Sequence, residues 1–131
     1  MLKAEVCRGA NGRVVVMDSI TKLTADDEGA VIVSASHGGA SSGEFALAVP
    51  LKAVFFNDAG FGKDDAGAVA LAMLDDRATA AGVVAHTSAR IGDSRDAWEN
   101  GVISRVNRAA AAMGLREGSR LSTALGELVG A

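Results

Sequence analysis

The stretch that decides the fold is AVIVSAS at residues 30–36, an apolar run that ends in small polar side chains. Its β-branched residues favour a strand over a helix, and a short run without alternation is typical of a strand buried on both faces. Two further runs share this character, KAVFFN at residues 52–57 and AAGVVAHT at residues 80–87. We therefore predict three buried strands, and strands covered on both faces are characteristic of parallel sheets.

Segments of helical composition lie between these strands. Residues 41–49 connect the first strand to the second, and residues 63–77 connect the second to the third. The second segment carries apolar side chains at helical spacing, namely Ala66, Val69, Ala70, Met73 and Leu74. Strands that alternate with helices predict an α/β fold, here a small three-layer open sheet that is mostly parallel.

The N-terminal part of the chain adds strands to this core. Residues 2–7 alternate apolar and polar side chains, and an Asn11-Gly12 turn separates them from the apolar run at residues 14–17. This pattern predicts an N-terminal hairpin or edge strand. Thr24 with Asp27 resembles a capping box, which predicts a short helix before the first buried strand.

The C-terminal part of the chain is predicted to be helical. Apolar side chains at helical spacing follow Asp93 and predict the longest helix, which ends at Gly114. A last short helix, capped by Ser119, carries an apolar face that includes Leu121 and Leu125. We expect that face to cover either the chain's own sheet or a partner subunit.

Length and composition indicate one domain with a thin core. The chain has 131 residues and a single proline, and we predict one domain over residues 1–131. Hydrophobic residues make up 49% of the chain but aromatic residues only 4%, so small and branched aliphatic side chains build the core. We expect a homo-oligomer, because association would bury more apolar surface than such a core can bury alone.

Charge and hydropathy argue against several partners. The net charge is -3 and no basic stripe is present to neutralise phosphates, so we expect no nucleic acid partner. No apolar stretch approaches the ~20 residues that cross a bilayer, so we expect no membrane partner and a cytoplasmic protein. Cys7 is the only cysteine, which excludes an internal disulfide and the cysteine-rich metal motifs.

Polar residues and glycines follow each of the three predicted strands. They are Ser36, His37, Gly38 and Gly39 after the first strand, Asn57, Asp58 and Lys63 after the second, and His86, Ser88 and Arg90 after the third. The carboxyl ends of parallel strands meet at one edge of a sheet, where α/β proteins bind their ligands. Glycines at strand ends also permit tight turns, and acidic side chains also complement helix termini. Because three separate segments converge, we predict a ligand site at this edge.

Two nucleotide-binding motifs are absent from these loops. Gly60-Phe61-Gly62-Lys63 is similar to the end of a P-loop, but Asn57 stands where the first glycine belongs and Asp64 replaces the Ser or Thr. The dinucleotide fingerprint GxGxxG fails because the third glycine is missing. We therefore expect no cofactor.

The stretch Ser34-Ala35-Ser36-His37-Gly38 resembles the nucleophile elbow of α/β-hydrolases, with Ser34 in place of the first glycine. The chain order Ser36, Asp58, His86 is also the order that those hydrolases use. The resemblance implies Ser36 as nucleophile, His86 as its base and Asp58 as the residue that orients the imidazole. The backbone amide of His37 is then a candidate oxyanion donor.

A broader hypothesis asks only for acid or base chemistry. His37 or His86 transfers a proton, and Ser36 and Ser88 hydrogen-bond the substrate. Gly38, Gly39 and Asn57 line the site, and Lys63 or Arg90 neutralises a carboxylate or phosphate of the substrate. Such a set fits hydrolysis, elimination or isomerisation of a small acid.

The sequence therefore predicts an enzyme that acts on a small polar, anionic metabolite, of the hydrolase, lyase or isomerase type. His37, His86 and Asp58 have side chains of the types that bind zinc, but no HxH or HxxxH spacing supports a zinc site and we expect no metal. Two non-catalytic roles also fit the sequence: a module that binds a metabolite or an anion, and a structural subunit of a homo-oligomer.

Overall fold

Six strands form one sheet, and their order across the sheet is their order along the chain. The computed structural model describes residues 1–131. The strands are β1 (Lys3–Gly9), β2 (Gly12–Met17), β3 (Val31–His37), β4 (Ala53–Asn57), β5 (Ala80–Val84) and β6 (Ile103–Val106). The strands from β2 to β5 are parallel, whereas β1 and β6 pair antiparallel at the two edges. The sheet is therefore mixed, and the prediction of a mostly parallel sheet is wrong because both edge strands run the other way.

Five α-helices accompany the sheet. They are α1 (Ala40–Leu47), α2 (Val69–Asp75), α3 (Ser94–Asn100), α4 (Arg108–Ala112) and α5 (Leu121–Val129). Short 3₁₀ helices occupy Ile20–Lys22, Ala25–Asp27 and Lys63–Ala68, and the predicted capping box of Thr24 and Asp27 starts the second of them. None of the helices is both long enough and apolar enough to cross a bilayer.

Two hydrophobic cores lie on the two faces of the sheet. On β2, Val14 and Val16 face the first core, whereas Val15 and Met17 face the second. Side chains of α3, α4 and α5 complete the first core, and side chains of α1 and α2 complete the second. Helices therefore cover both faces of the central strands, which is why those strands are apolar at consecutive positions.

The N-terminal hairpin is confirmed, with β1 at the edge of the sheet. Gly9 pairs with Gly12 across the turn, and Gly12 has a φ of +138°, a value that favours glycine. A side chain at Gly9 would overlap the carbonyl of Val129 at the end of α5, and the Asn11 amide donates to that carbonyl at 2.8 Å. The hairpin is thereby fastened to the C-terminal helix.

The single long helix predicted after Asp93 is wrong, because this stretch forms α3, β6 and α4. α3 ends before Gly101, where a side chain would overlap the carbonyl of Ala97. The next residues pair with β5, and Asn107 then caps α4 by accepting a hydrogen bond from the Ala110 amide at 2.9 Å. Apolar spacing could not reveal this strand, because its pairing with β5 is a tertiary contact.

The apolar face of α5 covers the chain's own sheet. Leu121, Leu125 and Val129 are fully buried in the first core, and α5 packs against β1 and β2. The helix starts after Arg120 and has no side-chain cap from Ser119. The homo-oligomer stays a prediction, and this face does not support it.

Substitutions at two glycines test the packing of the sheet. A side chain at Gly82 in β5 would overlap the Phe55 ring and lie 2.9 Å from the carbonyl oxygen of Arg105 in β6. We expect Gly82→Ala to lower the free energy of unfolding by about 1–3 kcal/mol. Gly126→Ala in α5 meets nothing within 4 Å and should raise it by about 0.5–1 kcal/mol. Urea unfolding measures both, and similar effects at the two positions would contradict this packing.

Candidate functional site

The chain crosses the carboxyl ends of the central strands after β5. This crossing segment, residues 85–93, is bound to β4 by the Asn57 side chain, whose Nδ2 donates to the carbonyl of Ala89 at 2.9 Å. The Gly92 amide donates to the carbonyl of Ala35 in β3 at 2.9 Å. Ser94, which follows the segment, donates its amide and its hydroxyl to Asp18 Oδ1 at 3.0 and 2.7 Å. The edge predicted to bind a ligand is thus spanned by a fixed loop.

Two residues predicted to bind substrate serve to hold this loop. Asn57 is buried. Its Oδ1 accepts from the Ala59 amide at 2.8 Å, and its Nδ2 donates to the Ala89 carbonyl. Ser88 donates its hydroxyl to the carbonyl of Ala85 at 2.7 Å and accepts from the Val102 amide at 3.0 Å. The hydrogen-bonding groups of both side chains are therefore engaged within the protein.

Asp58 and His86 are brought together as the chain order suggested. Asp58 Oδ1 is 3.1 Å from His86 Nδ1, and it also accepts from the His86 amide at 3.0 Å and the Gly60 amide at 2.7 Å. Its Oδ2 accepts from the hydroxyl of Ser104 at 2.7 Å. The Asp58 side chain is only 3% exposed, whereas that of His86 is 54% exposed. A buried carboxylate thus holds an accessible imidazole.

The Asp58 carboxylate is stabilised in its ionised form. Burial alone would raise the pKa of Asp58, but the hydrogen bonds from Ser104, Gly60 and His86 outweigh burial and hold that pKa below its ordinary value. An ionised carboxylate accepts hydrogen bonds and donates none, so Nδ1 of His86 carries the proton in the Asp58 contact. In the neutral ring Nε2 then carries the lone pair and can accept a proton from a bound molecule.

Ser104 belongs to this arrangement and was missed at the sequence level. A bulge in β6 interrupts its pairing with β5, because Val83 is opposite Arg105 and Val84 is opposite Ile103. Bulges redirect side chains, and this one aims the Ser104 hydroxyl at Asp58. The sequence offers no signal for it, since the apolar spacing of residues 102–106 predicts a helix.

Ser36 is not hydrogen-bonded to His86. Its Oγ accepts from the Ile20 amide at 3.0 Å, so the contact between nucleophile and base that a serine mechanism needs is not formed. Ser36 and His37 instead line a separate groove of about 400 Å³ over the ends of β2 and β3. The groove is rich in hydroxyls, with Ser19, Thr21, Ser41 and Ser42 on its walls and Phe45 and Ile91 on its apolar side.

Gly38 and Gly39 form the tight turn between β3 and α1. A side chain at Gly38 would lie 2.6 Å from the carbonyl oxygen of Gly67, and one at Gly39 would lie 2.6 Å from His37 Nε2. The His37 ring therefore packs on Gly39, and the carbonyl of His37 accepts from the Ser42 hydroxyl at 2.7 Å. Close packing at both positions therefore explains why these residues are glycine.

The two predicted cations lie outside these contacts. Lys63 and Arg90 are exposed, form no ion pair, and do not line the hydroxyl-rich groove. The amide of Arg90 donates to Asp96 Oδ2 at 2.7 Å, which anchors the crossing segment to α3. No group of three histidine, cysteine or acidic side chains is arranged to hold a metal ion, so the zinc site of His37, His86 and Asp58 is not assembled.

Replacement of Asp58 tests its ionisation. Because its pKa is lowered on folding, ionised Asp58 stabilises the fold above its unfolded pKa, about 3.8, and that stability is lost as the pH falls through the folded pKa. We expect Asp58→Asn to cost about 1–3 kcal/mol at pH 7, because an amide nitrogen would face hydrogen-bond donors. Urea unfolding of both proteins from pH 7 to acid should show the difference shrinking below the unfolded pKa.

A matched substitution completes this measurement. Asp26 is exposed and its carboxylate accepts no hydrogen bond, so Asp26→Asn should change the free energy of unfolding by no more than about 0.5 kcal/mol. A cost of Asp58→Asn that stays constant down to the acid limit would show that the carboxylate charge does not matter.

Comparison with protein-family models, curated proteins and solved structures finds no match for this chain. Its chemistry is therefore inferred from its own residues. Among the predicted catalytic residues, His86 and Asp58 are the two whose side chains are in contact.

Proposed function

We propose that this chain is an enzyme that acts on a small polar, anionic metabolite by general acid and base chemistry. His86 transfers the proton, and Asp58 fixes the orientation and tautomer of its ring. The observation that carries the proposal is the buried, ionised Asp58 carboxylate hydrogen-bonded to an accessible imidazole. Histidine gains and loses its proton near neutral pH, which suits it to this role.

The surroundings of His86 favour an anion. The ring lies over Gly60, since a side chain there would come within 3.4 Å of it. The same turn continues into Phe61, beneath the guanidinium of Arg105. A positive side chain beside this turn would lower the energy of a bound carboxylate or phosphate.

The reaction class follows from the groups that are present. An imidazole with no hydroxyl bonded to it supports proton abstraction, proton donation or activation of a water molecule. Elimination, isomerisation and hydrolysis by water all need such a group. A covalent serine intermediate has less support, because Ser36 donates nothing to His86.

Substitution of the two histidines tests the proposal. In a turnover panel of small hydroxy acids, carboxylic esters, amides and phosphate esters, we expect His86→Gln to lower kcat about 10²- to 10⁴-fold on the substrate found. His37→Gln and Ser36→Ala should leave kcat nearly unchanged, since neither side chain contacts Asp58 or His86. Equal loss in His37→Gln, or full activity in His86→Gln, would contradict the assignment.

A second candidate is a non-catalytic module that binds a metabolite in the hydroxyl-rich groove. The observation that favours it is the pair of exposed apolar side chains on the groove, Phe45 at 43% and Ile91 at 51% exposure. Apolar side chains combined with a few polar groups are typical of sites that bind small molecules.

Thermal shift measurements test this second candidate. A small acid or polyol that binds the groove should stabilise the protein by about 2.7 kcal/mol when its free concentration is 100 times its Kd. Phe45→Ala should reduce the shift, whereas Arg90→Ala should not, because Arg90 does not line the groove. A panel in which no compound raises Tm would remove the basis for a binding module in this groove.

A further inference from the structure

Arg105 lies beside the turn that contacts His86. Its guanidinium carbon is 4.2 Å from the centroid of the Phe61 ring, and Phe61 directly follows Gly60, over which the His86 ring lies. Arg105 also directly follows Ser104, whose hydroxyl donates to Asp58. Arg105 and His86 therefore flank the same turn.

The guanidinium of Arg105 is only partly engaged. Its one ion pair joins Nη1 to Asp65 Oδ2 at 3.4 Å, and the Arg105 and Asp65 side chains are 41% and 65% exposed. Exposed ion pairs of this kind contribute little to stability. A guanidinium also offers five N–H donors in a planar fork. Asp65 thus marks a position where a carboxylate meets Arg105, and a ligand carboxylate can displace it.

A groove of about 420 Å³ continues from Arg105 between α2 and β6. Its apolar lining comprises Ala68, Val69, Leu71, Ala72 and Val106. Asp75 on the same groove is already satisfied, because it accepts from Arg108 Nε at 3.2 Å and from the Ala109 amide at 3.0 Å. The groove therefore offers apolar surface flanked by two ion pairs, Arg105 with Asp65 and Arg108 with Asp75, and of the two cations Arg105 is the one that lies beside the turn under His86.

We infer that Arg105 binds the carboxylate of a short aliphatic acid whose chain lies in this groove. The inference rests on the proposed function, because it names the substrate class of the His86 site. Charge complementarity selects an acid over its amide, and the apolar lining selects an aliphatic chain over a more polar one. The carboxylate then lies at the Phe61 side of the groove, toward His86.

Titration with carboxylates of increasing length tests the inference. Acetate, butyrate, hexanoate and hexanamide are added to the protein, and NMR follows the Arg105 Nε–H and His86 Cε1–H signals. Affinity should rise up to about fourfold for each methylene buried, and hexanamide should bind much more weakly than hexanoate. Arg105→Gln should weaken hexanoate binding about 10- to 100-fold, because it removes a charged hydrogen-bond donor.

A second variant should act in the opposite direction. Asp65→Asn removes the competing carboxylate and should tighten hexanoate binding by up to about fivefold. Asp65 has a φ of +57°, a conformation that asparagine tolerates, so this exchange leaves the turn intact. Arg90→Gln should bind hexanoate as the native chain does, because Arg90 does not line this groove. Equal binding of hexanamide and hexanoate, or native affinity in Arg105→Gln, would overturn the inference.

Binding in His86→Gln separates this inference from the proposed function. Arg105 does not need the imidazole to hold a carboxylate, so His86→Gln should retain native affinity for hexanoate. If the native chain turns over no substrate but binds hexanoate with the dependence on Arg105 and Asp65 given above, the acid and base function fails and the carboxylate site stands.

Discussion

Four hydrogen bonds to the buried carboxylate of Asp58 hold together one corner of the sheet. Their donors come from the turn after β4, from His86, which lies two residues after β5, and from the bulge in β6. A carboxylate is costly to bury unless such donors surround it, and here they stabilise its ionised form. The contacts that fix β4, β5 and β6 at this edge therefore also orient His86, so the chemistry proposed for His86 depends on the same atoms as the stability of this edge.

The crossing segment explains why the predicted site divides into two. After β5 the chain passes over β4 and β3 and reaches α3 on the face of the first core, with Asn57, Ala35 and Asp18 as its anchors. Polar groups at the strand ends therefore form hydrogen bonds with the crossing segment itself. What stays accessible is His86 beside β5 and the hydroxyl-rich groove over β2 and β3, each with its own surroundings.

Local pattern predicted the central elements, and tertiary pairing decided the rest. The three apolar runs form β3, β4 and β5, because a strand that is buried on both faces can be recognised from its own apolar residues. β6 was hidden, since it depends on β5 and carries an apolar spacing that also fits a helix. At the site, the prediction from the strand ends that Asp58 lies close to His86 is confirmed. Ser36 does not join them, because its hydroxyl accepts from the Ile20 amide. Ser104 contacts Asp58 through a bulge in β6, and no local sequence pattern predicts that bulge.

The turn after Asp58 combines a strained backbone with contacts to both His86 and Arg105. Ala59 and Phe61 have φ values of +50° and +64°, which cost roughly 1 kcal/mol or more for each residue with a side chain. Local hydrogen bonds offset the strain: the Ala59 amide donates to Asn57 Oδ1 at 2.8 Å, and the Phe61 amide donates to the Asp58 carbonyl at 2.6 Å. A relaxed, extended turn would carry Phe61 away from Arg105 and Gly60 away from His86. Strain in this one turn therefore places Gly60 against the imidazole of His86 and Phe61 under the guanidinium of Arg105.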